Sequence, residues 1–253
     1  MFAGQATVSA PFLSIILPAH NEEHRLPPAL ESLHAFLSAQ SFSFEVVVVE
    51  NGSTDRTREV LAEYAARFPY LVPLTDERRG KGLAVQRGML TARGQYRMFC
   101  DVDFSMPVEQ ISRFIPPALP GVEIAIASRE APGAVRYGEP VVRHIIGRGF
   151  NTLVRWVALP GLQDTQCGFK CFRGDIAERI FPLQTLHGWT FDVEVLFIAR
   201  RLGYRVVEVP IPWYYNAESK IRVLRDSYAM FADLIRIRLN ARRGMYDGAP
   251  ASR

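Results

Sequence analysis

Short apolar runs and helical stripes alternate through the first half of the chain. Residues 12–18 (FLSIILP) and 45–50 (EVVVVE) are continuous, rich in β-branched side chains and bounded by turn residues. That is the pattern of strands covered on both faces. Between them Leu26, Leu30, Leu33 and Leu37 recur at the spacing of a helix stripe. A second helix is predicted to start near Ser53 to Asp55, good N-cap types, and to turn Val60, Leu61, Tyr64 and Phe68 inward. Residues 70–75 read as a short strand, followed by the Gly80-Lys81-Gly82 turn and a helix ending at Gly94. Residues 96–100 form a strand that runs into Asp101, 107–118 a helix and 123–128 the next strand. Strands separated by crossover helices predict a mostly parallel α/β sheet that binds its ligand at the carboxyl ends of the strands.

The pattern changes after residue 130. Residues 140–159 form a long amphipathic segment, 165–173 a strand or hairpin and 191–202 a helix. Strand signals follow at 204–209 and 211–215, then a basic amphipathic helix over 222–243. The last ten residues, 244–253, are rich in Gly, Ala and polar groups and are expected to be a disordered tail. No repeat, low-complexity tract or linker divides the chain, so residues 1–253 are expected to form one domain with two halves, 10–130 and 131–243.

Composition changes this picture little. Apolar residues make up 48% of the 253, enough for a substantial core, and the net charge of +4 is a mild basic excess. It is compatible with phosphates or lipid headgroups and equally with simple solubility; no nucleic-acid partner is expected. Cys100, Cys167 and Cys171 are too few and too oddly spaced for a disulfide framework and read as reduced, structural thiols. The N-terminus lacks a signal-peptide pattern, and no apolar run approaches the ~20 residues of a membrane span. The expectation is a cytoplasmic protein, soluble or peripheral on the inner face of the membrane.

Candidate chemistry starts at Asp101-Val102-Asp103, directly after an apolar strand. Carboxylates at i and i+2 on extended backbone point the same way and repel each other unless a cation lies between them. Oxygen ligands without His or Cys suit Mg²⁺ or Mn²⁺ shared with substrate phosphates; the competing reading is that the acids cap the following helix. Two earlier strands also end in polar residues, Pro18-Ala19-His20-Asn21-Glu22 and Glu50-Asn51-Gly52-Ser53-Thr54-Asp55. Three consecutive strand ends thus converge where an open α/β sheet holds its ligand.

A first strand ending P-x-x-N-E, a second ending in an acidic G-S-x-D turn and a later D-x-D together resemble the inverting glycosyltransferases of family two. The likeness continues through Ser128-Arg129, Asp164-Thr165-Gln166-Cys167-Gly168-Phe169, Phe191-Asp192-Val193-Glu194 and Ser219-Lys220. This ordered set covers nearly the whole chain and is similar to the branch of the family that transfers glucose or mannose to dolichyl or polyprenyl phosphate. The resemblance implies a GT-A (Rossmann-like) fold, a mostly parallel sheet flanked by helices, with C-terminal amphipathic helices. It makes 10–130 the nucleotide-sugar half and 131–243 the acceptor- and membrane-facing half. Pro18, His20 and Glu22 would line the base and ribose pocket, and Asn51 stands where the family commonly has an aspartate that accepts from the base. Asp101 would bind ribose or a metal-bound water, and Asp103 would ligate the metal. Ser105 occupies the place of a second ligand or, equally, caps the next helix.

Lys81, in a glycine-flanked turn before a helix, is a candidate for the donor's phosphates. By the same resemblance Arg143 would contact the acceptor phosphate and Lys220 would sit near the diphosphate; Arg129, directly after the strand 123–128, is a second guanidinium placed for that dianion. UDP-glucose is favoured as donor over GDP-mannose, from the Phe191-to-Glu194 motif and Asn51. Glu194 or Asp192 would be a general base if the acceptor were a sugar hydroxyl. A lipid phosphate, with a second pKa of about 6, is already a nucleophile near neutral pH. In 142–159, Ile145, Ile146, Phe150, Leu153, Val154 and Trp156 alternate with Arg143, Arg148 and Arg155. In 222–243, Leu224, Tyr228, Phe231, Leu234, Ile235 and Leu239 do so with six arginines. Such helices suit a membrane surface, or pack on a core and expose their arginines to water. A saccharide acceptor and a non-catalytic nucleotide-sugar-binding module remain as alternatives; a dehydrogenase lacks its Gly-x-Gly-x-x-Gly turn.

Overall fold

The computed structural model describes residues 10–216 and 223–248. Among these residues nine strands and seven α-helices run in the order β1 (Leu13–Ala19), α1 (Leu26–Ser38), β2 (Phe44–Asn51), α2 (Thr57–Arg67), β3 (Leu71–Asp76), α3 (Lys81–Thr91), β4 (Tyr96–Phe99), β5 (Ile124–Ser128), β6 (Val135–Tyr137), α4 (Val141–Val157), β7 (Lys170–Arg173), α5 (Gly174–Ile180), α6 (Phe191–Arg201), β8 (Val206–Pro210), β9 (Pro212–Tyr214) and α7 (Val223–Arg242).

Seven of the strands form one sheet in the order β3-β2-β1-β4-β7-β5-β8, and β6 pairs with β9 apart from it. All pairs in the large sheet are parallel except those of β7, which runs antiparallel to β4 and β5. The unbroken apolar runs follow from burial on both faces. Leu13, Ile15, Leu17, Val46 and Val48 face a core closed by α1 and α2, while Ile16, Val47 and Val49 face one closed by α3, α5, α6 and α7. Chain order reverses at β1, between β2 and β4. The carboxyl ends of β1 and β4 therefore border a crevice, as an open α/β sheet requires at its switch point.

Four expectations change. Within 107–118 only Val108–Phe114 is helical, as a 3-10 helix, and the Pro116-Pro117 pair beyond it has no N–H to continue a ladder. Of 165–173 only Lys170–Arg173 pairs as a strand. β6 and α5 carried no clear signal, β6 being three residues and α5 seven. Residues 244–248, assigned to a disordered tail, form a turn in which Tyr246 is fully buried; an aromatic ring packed into the second core holds it there.

No helix among the described residues is long and apolar enough to cross a membrane. α4 nonetheless exposes Val141, Val142 and Ile145 at 72%, 69% and 63%, and Trp156 at 87%. α7 buries Leu234 and Ile237 yet also exposes Phe231, Ile235 and Leu239. Core packing and an outward apolar face therefore coexist on α7. Of the expected basic-helix residues, Arg222 lies outside the described residues.

Candidate active site

A cavity of about 460 Å³ opens over the carboxyl ends of β1, β2 and β4. On the β1 side, the His20 ring shares a 2.8 Å hydrogen bond with the Asn51 carbonyl oxygen, and Arg25 grips Glu22 through two bonds of 2.6 and 2.8 Å. The Glu22 N–H donates to Thr57 Oγ1 at 2.7 Å, tying this turn to α2. Asn51 Nδ2 donates to the Gly80 carbonyl at 3.0 Å, which anchors the amide beside the turn that carries Lys81. Pro18, His20, Glu22, Asn51 and Lys81, read from separate strand ends, thus line one cavity.

Asp101 and Asp103 line it too. Lys81 Nζ lies 2.5 Å from Asp101 Oδ1. Burial works against the Lys81 ammonium, but Asp101 and then Asp192 hold its pKa above the ordinary value. Asp103 is exposed at the cavity mouth, yet the protein around it and then the charge of Asp101 push its carboxyl up. The Ser105 N–H donates to Asp103 Oδ1 at 3.1 Å, so Asp103 caps its own turn while its carboxylate lines the cavity. Gly168 makes room for this arrangement, since a Cβ there would fall 1.9 Å from Asp101 Oδ2.

This donor set suits a hard divalent ion. Asp101 helps raise the proton affinity of Asp103, and a cation beside the two carboxylates would relieve that repulsion. Among the described residues no group of three or more His, Cys, Asp or Glu could complete a sphere. The remaining ligands would come from a substrate's phosphates and water, as Mg²⁺ and Mn²⁺ commonly accept.

Arg129, Arg136 and Arg143 line the same cavity. Arg129 makes a bidentate ion pair with buried Asp164, at 2.6 and 2.9 Å. Burial alone would raise Asp164; the guanidinium instead brings it down to about 2. Arg129 and Arg136 both lie over the Trp213 ring, at 5.3 and 5.7 Å from its centre, and Arg136 is held by Glu130 and Glu139. Arg143 lies 5.0 Å over the Tyr215 ring. Arg143, Gly147 and Asn151, four residues apart on α4, all line the cavity. Asn151 is buried there, with no hydrogen-bond partner for its Oδ1.

Asp192 and Glu194 part company. Asp192 lines the cavity and pairs with fully buried Lys170 at 2.5 Å, whose ammonium also donates to the Cys167 carbonyl at 2.6 Å. Burial raises the Asp192 carboxyl against the pull of Lys170 and Lys81. Glu194 is not in the cavity, which corrects the reading of it as a base. It is fully buried behind the wall, where it accepts from the Thr185 N–H, the Leu186 N–H, the Thr185 hydroxyl and the Tyr246 phenol. Every oxygen a base would use is taken. Lys220 lies outside the described residues. Sequence reading missed Trp189, Trp213 and Arg136 as cavity residues; Gln166, Gly168 and Phe169, inside the Asp164-to-Phe169 motif, carried a signal.

The three cysteines are buried and free. Burial pushes the Cys167 thiol up to about 12, so it stays protonated and inert.

An open, mostly parallel sheet with a polar cavity at its switch point is the arrangement of a GT-A-like fold. The family model described as Glycosyl transferase family 2 matches residues 14–181, and the chain belongs to that family. It is 34% identical over 250 residues to the dolichyl-phosphate beta-glucosyltransferase of Dictyostelium discoideum, covering 93% of this chain and 76% of that protein. It is 31% identical over 258 residues to the Saccharomyces cerevisiae protein of the same name, with 93% and 76% covered. Among solved structures, glucosyl-3-phosphoglycerate synthase from Mycobacterium tuberculosis with Mn²⁺, UDP-glucose and phosphoglyceric acid superposes with a TM-score of 0.64 at 20% identity. That match covers 90% of this chain and 79% of the synthase, and shows a shared fold.

Proposed function

We propose that this enzyme transfers glucose, with inversion, from UDP-glucose to a polyprenyl or dolichyl phosphate at a membrane surface. One observation carries the choice of acceptor: Arg129 and Arg143 line the same cavity as Asp101 and Asp103. Glu194 is sealed behind the wall and Asp192 is held by Lys170. A hydroxyl acceptor needs its proton removed; a phosphate dianion needs only to be held and aimed. The names of the relatives in Dictyostelium and yeast support the same acceptor and sugar.

In this reading Asn51 and His20 receive the base and ribose, and Lys81 and Trp189 border the diphosphate and sugar. Lys81 can exchange its bond to Asp101 for one to the donor's phosphates. Arg129 and Arg143 hold the acceptor phosphate by planar, two-point contacts, and its oxygen attacks the anomeric carbon opposite the leaving diphosphate. A Mg²⁺ or Mn²⁺ ion held by Asp103, with Asp101 beside it, would supply positive charge to that leaving group. The exposed apolar side chains of α4 and α7 would rest in the headgroup layer and bring the cavity to its lipid substrate.

The test is incubation with radiolabelled UDP-glucose or GDP-mannose and polyprenyl phosphate, followed by organic extraction. Label in the organic phase from UDP-glucose is expected. Label from GDP-mannose alone would reverse the donor, and label only in a water-soluble saccharide would overturn the acceptor.

A further inference from the structure

Glu194 marks a second layer behind the donor wall. Its carboxylate accepts from the backbone N–H groups of Thr185 at 3.0 Å and Leu186 at 2.8 Å, and from the Thr185 hydroxyl at 2.6 Å. It therefore fixes the start of the segment joining residue 184 to α6. That segment carries Gly188 and Trp189 into the cavity, with the Trp189 ring 5.5 Å from Lys81 Nζ.

The same segment is bolted to the start of α3. The Gly82 N–H donates to the His187 carbonyl at 2.9 Å, and the Gln184 amide donates to the carbonyls of Gly82 and Leu186, both at 2.8 Å. The fit leaves no slack. A Cβ on Gly80 would fall 2.5 Å from the His187 carbonyl oxygen, and one on Gly82 would fall 2.7 Å from the Phe191 Cβ. The start of α3, with Lys81, and the segment that carries Trp189 are therefore in direct contact.

The remaining partner of Glu194 comes from far along the chain. Tyr246, fully buried in the turn after α7, donates its phenol proton to Glu194 at 2.7 Å. Asn240, buried on α7, donates to the Tyr246 oxygen at 3.2 Å and to the Thr185 hydroxyl oxygen at 3.1 Å. Burial, and then the Glu194 charge, push the phenol's pKa up, so it stays a hydrogen-bond donor at any working pH. A buried carboxylate is costly unless its acceptor sites are filled. Tyr246 fills one of them, and no other described side chain replaces it.

We propose that Tyr246 and Asn240 are positioning residues for the nucleotide-sugar donor: acting through Glu194, the C-terminal turn and α7 hold residues 184–190, and with them Trp189 and Lys81, in the donor-binding arrangement. This rests on the reading of the cavity as a nucleotide-sugar site. It places part of the donor machinery in the last turn of the fold, beyond the 14–181 span matched by the family model. It also ties the donor wall to α7, the helix whose other face exposes Phe231, Ile235 and Leu239.

The experiment is calorimetric titration of UDP into the wild-type chain, Tyr246→Phe and Glu194→Gln, with steady-state kinetics for both substrates and circular dichroism as a folding control. Both variants keep the side-chain shape: Tyr246→Phe removes the phenol's bonds with Glu194 and Asn240, and Glu194→Gln turns one oxygen, which accepts two of the four bonds, into a donor. Wild-type protein that binds neither UDP nor any other nucleoside diphosphate would sink the underlying reading of the cavity. Given wild-type binding, UDP affinity should fall about fivefold or more in each folded variant, the range that one hydrogen bond can supply through loop population. The KM for polyprenyl phosphate should stay within about twofold, because Arg129 and Arg143 lie on other elements. Unchanged UDP affinity in a folded variant overturns the proposal. So does an equal loss for both substrates, which would mark the network as general packing. Should one variant fail to fold, the other decides.

Discussion

Asp192→Asn separates an ion partner from a general base, because the two roles predict opposite results for stability and rate. Lys170 is fully buried, and its ammonium donates to the Cys167 carbonyl and to Asp192. Removing the anion leaves a cation in a low-dielectric site. Breaking a buried pair from one side costs about 3–5 kcal/mol. The asparagine keeps an oxygen that can accept from Lys170, so the low end, about 3 kcal/mol, applies here. In a domain of this size each kcal/mol moves the melting temperature by about 2–4 °C, so a fall near 10 °C is expected. The double change Lys170→Met with Asp192→Leu should melt above either single variant, because no charge is then left alone. The rate, measured well below the melt, should fall less than about tenfold, whereas loss of a true base costs about 10²–10⁴-fold. The assays are thermal denaturation and single-temperature transfer to polyprenyl phosphate. A variant that melts like wild type and transfers over a hundredfold more slowly would refute the reasoning and restore a hydroxyl acceptor.

Four further outcomes are expected. Arg143→Ala should raise the KM for polyprenyl phosphate about tenfold, the value of a charge-assisted bond, and leave UDP affinity within twofold by calorimetry. Asp103→Ala should abolish the dependence of UDP binding on Mg²⁺ or Mn²⁺ while circular dichroism stays unchanged; retained metal-dependent binding would count against Asp103 as ligand. Val142→Glu with Ile145→Glu should reduce cosedimentation with anionic vesicles, and high salt should weaken the wild-type interaction by screening. Asp164, lowered from 3.8 to about 2 by Arg129, should contribute on the order of 2 kcal/mol of stability. A depressed carboxyl stabilises above its unfolded pKa and loses that contribution as pH falls through the folded value. Asp164→Asn should therefore flatten the acid limb of a stability profile between about pH 5 and pH 1.

Legibility in the sequence followed the range of the forces involved. Strands β1 and β2 were plain because both faces are buried, which writes an unbroken apolar run into consecutive residues. Strand ends were plain for the same reason: Asn51, Asp101 and Arg129 each follow such a run directly, and an α/β sheet sends those positions to one edge. β6 was hidden because three half-exposed residues pair with a strand over seventy residues later. Trp189 and Tyr246 were hidden because their roles depend on contacts with Lys81 and Glu194, which no local spacing records.

Phe191-Asp192-Val193-Glu194 shows where the limit falls. On a helix, residues two apart project about 200° from each other, so only one of these acids can face a given wall. The motif alone offers both, and choosing between them requires knowing which side of α6 meets the sheet. Packing decides it: the neighbours of Glu194 are Thr185, Leu186 and Tyr246, and those of Asp192 are Lys170 and the cavity. The inward acid is spent on architecture and the cavity-side acid on neutralising a buried lysine. A cavity lined by Arg129 and Arg143, with Glu194 sealed away and Asp192 paired to Lys170, would suit a nucleophile that arrives already deprotonated. The proposed acceptor chemistry thus rests as much on where the fold puts Glu194 and Asp192 as on the guanidiniums of Arg129 and Arg143.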